Sequence, residues 1–344
     1  MKKWQRPGFI SIISLLLIIL MIPTLIVVPF IDSGDKERAP EQMAKDKNGK
    51  LIELPADLSP FDINVLRTAT DEVETVPLED YVARVVASEM PADFEMEALK
   101  AQALAARTYI VKHYTSGEKV SGKADVTDTV QHQVYKNTQE LRNLWKEDFE
   151  EKMTKINSAV KNTAGEILTY KNQPIFAAFF STSNGFTENS EDYWPNPIPY
   201  LKSVESPWDE NSPKFLDQKV ISVQDAEAKL GVDFPQNINN TKITLTDSKR
   251  VNNITVGGET LSGREVREKL ELRSTDFTID KKDGHLIFTT RGYGHGVGMS
   301  QYGANGMAKQ GKDYKDIVKH YYKGTEITEL EQLNSLASAM ETKK

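Results

Sequence analysis

Between Tyr81 and Glu89 the apolar residues Val82, Val85 and Val86 recur at three- and four-residue steps with Glu89, so all four share one helical face, and Pro91 ends the helix two residues later. A second helix follows at once from Glu97. Ala98, Ala101, Ala105 and Thr108 form one small-residue stripe and Leu99, Ala103, Ala106 and Ile110 another, which predicts a helix packed closely on more than one side. Upstream, Phe61 to Arg67 and Glu72 to Pro77 alternate apolar and polar residues as strands do. Downstream, 116–128 reads as a loop, Leu141 to Thr163 as a helix, and Glu166 to Tyr170 as a strand that Asn172 turns back into another over Pro174 to Phe180. Further strands are expected at Lys242 to Thr246, Asn253 to Val256, Phe277 to Ile279 and His285 to Thr290. Helices are expected over Ser262 to Leu270, Met299 to Lys309 and Tyr314 to Tyr322. Strands and helices mix without regular alternation, so the expected class is α+β with mostly antiparallel strands.

The pattern changes character at the N-terminus. Phe9 to Ile31 is an uncharged, overwhelmingly apolar run behind Lys2, Lys3 and Arg6, long enough to cross a bilayer and without the small-residue site of a cleaved signal. The expected organisation is a cytoplasmic basic leader at 1–8, a single transmembrane anchor at 9–31, a charged tether at 32–60, one extracytoplasmic domain at 61–327 and a tail at 328–344.

Composition narrows the chemistry. The 344-residue chain has no cysteine, which excludes disulfides, thiolate metal sites and a thiol nucleophile. Its net charge of −7 argues against nucleic acid as a partner. The five histidines are scattered without a His-x-x-x-His pair, so neither a metal nor another cofactor is expected.

Four places remain as candidates. Glu89, at the edge of an apolar stripe, would be a general acid if desolvated, although the pattern alone favours a solvated last-turn carboxylate. Arg107 must have either a structural carboxylate or a wet cleft. A direct contact with Glu89 would depress that carboxyl's pKa, so Arg107 is expected to point at substrate. Ser183, in the hydroxyl-rich turn 180–186, stands near Trp194, Tyr200 and Lys202, a mixture of aromatic faces and polar donors suited to a sugar. No Gly-x-Ser-x-Gly elbow surrounds it, which disfavours a serine hydrolase. In Gly292-Tyr-Gly-His-Gly-Val-Gly298 the alternating glycines fit neither phosphate-loop spacing. They predict a backbone passing close to something, with His295 presented and Gln301 nearby.

Taken together, Glu79-Asp-Tyr-Val-Ala-Arg-Val-Val-Ala-Ser-Glu-Met-Pro91, Ala98-Leu-Lys-Ala-Gln-Ala-Leu-Ala-Ala-Arg-Thr-Tyr109, Tyr200-Leu-Lys-Ser-Val204, Leu272-Arg-Ser-Thr-Asp-Phe277 and Gly292 to Ala304 closely resemble the stage II sporulation protein D family. The resemblance implies a membrane-anchored lytic transglycosylase that cleaves peptidoglycan glycan strands lacking stem peptides during engulfment of the forespore. Glu89 matches the catalytic glutamate, and Arg107, Tyr200 and Lys202 match other active-site positions. A sporulation amidase and a further membrane protein are the implied partners. Some members carry a Cys/His zinc cluster near the segment that here reads 128–135, but this chain has only His132 there. A non-catalytic glycan-binding module that activates an amidase is the alternative, and a purely structural anchor is a weaker one.

Overall fold

The computed structural model describes residues 52–331, apart from 121 and 123. The leader and anchor segments, most of the tether and most of the tail lie outside the described residues. Among those described, no helix is long and apolar enough to cross a membrane.

The fold is α+β, with strands mostly antiparallel. Strands β1 (Asp62–Arg67) and β2 (Glu72–Pro77) form a hairpin that leads into α1 (Leu78–Glu89) and then α2 (Met96–Ser116). In α2 the side chains from Ala98 to Thr108 are buried all round except Lys100, so the helix is enclosed as its two stripes predict. Alanine makes this possible: small side chains let several neighbours approach one backbone. Gly117, at φ 73°, ends α2 in the left-handed conformation that glycine adopts most easily.

The short strand β3 (Val126–Thr127) runs parallel to β1. The helix expected over 141–163 is interrupted: α3 (Thr138–Trp145) and α4 (Phe149–Lys161) are separated where Lys146 takes a positive φ of 50°. An Asn137/Glu140 capping box starts α3. Strand β4 (Glu166–Tyr170) pairs with β5 (Gln173–Pro174), and β6 (Phe179–Phe180) follows. The continuous strand expected over 174–180 therefore exists only at its ends. Between them the Phe176 N–H goes to the Tyr200 hydroxyl at 2.9 Å, and the Ala178 carbonyl accepts from both the Met299 N–H and the Tyr322 hydroxyl. Helix α5 (Ser190–Tyr193) is a single turn.

Two apolar cores result. The larger is built on α1, α2 and α4, with α8 (Gln301–Lys309) and α9 (Tyr314–Tyr321) from the end of the chain. Strand β13 (Met299–Ser300) pairs with β6, and β14 (Glu326–Glu329) with β4. The smaller core belongs to an inserted lobe, from β7 (Leu216–Ser222) and α6 (Val223–Leu230) through β8 (Lys242–Leu245), β9 (Val251–Val256), β10 (Glu259–Ser262) and α7 (Gly263–Lys269) to β11 (Asp276–Lys282) and β12 (His285–Arg291). Its sheets run β11-β12-β7 and β10-β9-β8.

The glycine run 292–298 carries the chain from the lobe back into the larger core. A Cβ at Gly298 would lie 2.0 Å from the Ala178 carbonyl oxygen, and one at Gly296 would lie 2.7 Å from Nε of the buried Arg250. The expected close approach is thus real, and its partners are the 178–184 backbone and a guanidinium. Arg250 itself donates to the Phe186 carbonyl at 2.9 Å and the Ser248 hydroxyl at 3.0 Å, joining lobe to body.

At the centre of the body Arg107 is fully buried and paired with Glu79 of α1. Its Nη2 and Nε approach the carboxylate at 2.6 and 2.8 Å, and the remaining donors reach the Val160 and Glu166 carbonyls and the Thr163 hydroxyl. Removing one partner strands the other charge in a dry core. Arg107→Ala is therefore expected to lose about 3–5 kcal/mol of unfolding free energy in urea titrations, whereas replacing the pair together by Glu79→Leu and Arg107→Met should cost much less.

Candidate active site

Glu89 closes the last turn of α1, where the exposed carbonyl dipoles disfavour a negative charge. Its Oε1 accepts the Val134 N–H at 2.8 Å, and no other hydrogen bond to the carboxylate is found among the described residues. The loop that delivers this N–H is held on both sides. Gln133 accepts from the Tyr81 hydroxyl of α1 at 3.2 Å and donates to the Ala106 carbonyl of α2, while the Tyr135 hydroxyl is shared between Arg84 and Glu74.

Burial raises the Glu89 pKa above the ordinary carboxylate value. The Val134 hydrogen bond and the more distant charge of Lys136 oppose that rise without cancelling it. No second carboxylate is among the groups acting on it. The contrast with Glu79, on the same helix, is one of partners: Glu79 has a bidentate guanidinium and Glu89 a single amide.

A row of rings starts at Tyr109 of α2. Glu89 and Tyr109 of α2 both lie close enough to Tyr81 to add to the rise of its pKa that burial dominates. Tyr109 packs on Phe176 at 5.9 Å, Phe176 on Trp194 at 5.5 Å, and Trp194 on Tyr193 at 5.5 Å. Every ring of the row is partly exposed, so together they offer an accessible aromatic face with spacings on the scale of a sugar unit. Tyr200 belongs to this row: its hydroxyl accepts the Phe176 N–H, which leaves its own O–H proton free to donate, and burial raises its pKa.

His295 sits among Phe180, Tyr193 and Trp194, with ring centroids 5.4–5.7 Å away. Burial, joined by the positive charge of Arg267, pushes its pKa down to about 4, so the ring is neutral near pH 7. The Val297 N–H donated to Nδ1 assigns the ring proton to Nε2.

The other expected residues lie elsewhere. Arg107 does not face a cleft: its carboxylate partner is Glu79, and that burial removes it from contact with any ligand. Ser183 is also fully buried, its hydroxyl donating to Asp209 at 2.8 Å. Asp209 collects the Ser206 and Ser300 hydroxyls as well, which makes this cluster a folding device. Gln301 is 5% exposed and donates to Gln102 at 3.4 Å, so it too is interior. Lys202 stands at the rim in an ion pair with Glu191.

Sequence reasoning missed the Val134 N–H, Lys136, Tyr109 and Phe176. Tyr109 alone left a signal, as the residue closing the alanine-rich motif on α2. His132, in the loop 128–135, hydrogen bonds to Thr127 and packs against His113 at 5.1 Å. Among the described residues no group of three or more acidic or histidine side chains could hold a metal ion.

A family model described as SpoIID, stage II sporulation protein, matches residues 67–170, which span α1, α2 and the Val134 loop. The chain is 49% identical over 326 residues to stage II sporulation protein D of Bacillus subtilis (strain 168), covering 93% of this chain and 95% of that protein. It is 46% identical over 340 residues to stage II sporulation protein D of Bacillus amyloliquefaciens, covering 96% and 98%. It is also 30% identical over 303 residues to the amidase enhancer of Bacillus subtilis (strain 168), covering 71% of this chain and 40% of that protein.

A carboxyl whose pKa rises on folding binds more protons in the folded state between its unfolded and folded values, so stability falls as pH rises through that window. Glu89→Gln removes this term. The variant is expected to be more stable than the parent at pH 7, with the difference vanishing below pH about 4, where glutamate is protonated in both states. Thermal unfolding across that pH range measures it, and a Glu89→Gln protein less stable than its parent at pH 7 would show that Glu89 is not held in a desolvated site.

Proposed function

The chain belongs to the stage II sporulation protein D family, and from that premise we propose that it is a lytic transglycosylase acting on peptidoglycan glycan strands that lack stem peptides. The observation that carries this reading is Glu89: a desolvated carboxyl with a raised pKa, no cationic hydrogen-bond partner, and no second carboxylate acting on it.

A hydrolase that inverts or retains configuration needs two carboxyl groups, one as acid and one as base or nucleophile. Lytic cleavage needs one, because the substrate brings its own nucleophile. Protonated Glu89 gives its proton to the glycosidic oxygen as the bond from C1 of the N-acetylmuramyl unit breaks. The C6 hydroxyl oxygen of that same unit bonds to C1, and the resulting Glu89 carboxylate takes the C6 hydroxyl proton. The products are a 1,6-anhydromuramyl end and a free hydroxyl on the departing sugar, with Glu89 protonated again. Attack within one ring has a large effective concentration over water. The Val134 N–H on Oε1 leaves Oε2 to carry the proton, and Lys136 steadies the carboxylate formed midway. The Tyr109 to Tyr193 row supports sugar faces, with the Tyr200 hydroxyl as a donor along it and Lys202 at its rim.

In this reading the apolar segment Phe9 to Ile31 anchors the chain, with the described residues outside the cytoplasm, and a sporulation amidase that strips the peptides works beside it. The similarity to a protein named amidase enhancer supports a second role, binding glycan and stimulating that amidase.

Glu89→Gln is expected to lower the yield of 1,6-anhydromuramyl ends from peptide-free glycan by about 10²–10⁴-fold, read by mass spectrometry. Wild-type activity should fall as pH rises through the elevated Glu89 pKa, since the acid form is consumed there. Reducing muramyl ends from the wild type, or anhydro ends formed by Glu89→Gln at the wild-type yield, would sink the mechanism. A variant that loses cleavage yet still stimulates the amidase would separate the two roles.

A further inference from the structure

The far end of the aromatic row is not covered by the body alone. Helix α7 of the inserted lobe reaches over it with two arginines. Arg264 places its Cζ 4.8 Å above the Tyr193 ring and donates to the Tyr193 carbonyl at 3.2 Å. Arg267 donates through Nη1 to the Tyr193 hydroxyl at 3.0 Å and through Nε to the Arg273 carbonyl at 3.3 Å.

The charges around these groups are unevenly matched. Arg264 pairs with Glu268, Lys269 with Glu265, and Arg273 with Asp217. Arg267, partly exposed, has no carboxylate within ion-pair distance among the described residues. Two hydrogen bonds fix its plane, and Nη2 has no hydrogen-bond partner among the described residues, which leaves a donor to offer a carboxylate. Its field is felt nearby: Arg267 and Arg264 both help hold His295 neutral.

We propose that Arg267, supported by Arg264 on the face of Tyr193, is a specificity-determining residue that binds the free carboxylate of a muramyl unit's 3-O-lactyl ether. The idea rests on the glycan reading above and adds a reason for the choice of strand. An attached stem peptide turns that carboxylate into an amide, which removes the charge and adds bulk at the same point. A strand without peptides offers an anion to the guanidinium and its sugar faces to the aromatic row. Selection for peptide-free glycan then follows from charge recognition by the lobe, away from the reacting bond.

The test uses the full-length protein in detergent carrying Glu89→Gln, so that ligands bind without turnover. Two tetrasaccharides of alternating N-acetylglucosamine and N-acetylmuramic acid are compared by calorimetry, one with free lactyl carboxylates and one with the same groups as methylamides. The free acid should bind about tenfold tighter or more, and adding Arg267→Gln should bring the two affinities together, while Arg267→Lys keeps part of the difference. Binding of the methylamide serves as the check that the Arg267→Gln protein is folded. Equal affinities in the Glu89→Gln parent, a preference that survives Arg267→Gln, or no binding of either ligand at millimolar concentration would each overturn the proposal. The reaction is judged separately by its products. An Arg267-dependent preference, when the wild-type protein forms no anhydro ends, would leave this subsite standing and remove the transglycosylase reading. Anhydro ends without the preference would do the reverse.

Discussion

A guanidinium without access to water has to be neutralised where it stands, and Arg107 is neutralised by Glu79 across the α1–α2 contact. The pair does more than offset its own desolvation. Arg107 also binds the Val160 and Glu166 carbonyls at the end of α4 and the start of β4, so one side chain ties two helices and a strand to the enclosed α2. The orientation of α1 against α2 depends on it, and with that the position of the last turn of α1. Glu89, at the other end of the same helix, has no cationic hydrogen-bond partner among the described residues.

That division of labour separates two carboxyls that look alike in the sequence. Both lie on one helix and both are removed from bulk water to some degree. One is given a fork of donors and serves the fold. The other is given one amide from a loop that Gln133 and Tyr135 pin in place, at the helix end whose dipole is least hospitable to a negative charge. A site that destabilises its own ionised form costs stability, and the raised Glu89 pKa is the sign of that cost.

Much of this was legible in local pattern, and the failures have a common cause. Alternation found β1 and β2, the double apolar stripe found an enclosed α2, and Pro91 placed the end of α1 beside Glu89. Helical spacing says which residues share a face, but not which neighbour that face meets, so Arg107 was assigned to a ligand when its partner was a glutamate 28 residues earlier. Ser183 and Gln301 were misread in the same way: hydroxyls and amides in a glycine-rich setting look like ligand donors until a buried Asp209 or Gln102 is seen to use them. The Val134 amide left no trace at all, since a backbone donor has no side chain to betray it. Strand β7 and helix α6 escaped because Leu216 and Val220 point outward, at 59% and 60% exposure, which blurs the strand's apolar face.

The lobe that carries Arg267 begins and ends at one place. Leu216 opens β7 opposite Arg291 at the end of β12, and the Gly292 N–H bonds to the Phe215 carbonyl at 2.7 Å. Its two ends are therefore already joined side by side, and the segment has an apolar core of its own. An insertion with touching ends can be exchanged, lengthened or trimmed with little strain on its host. Such a module can change its exposed residues while the packing of the body stays as it is.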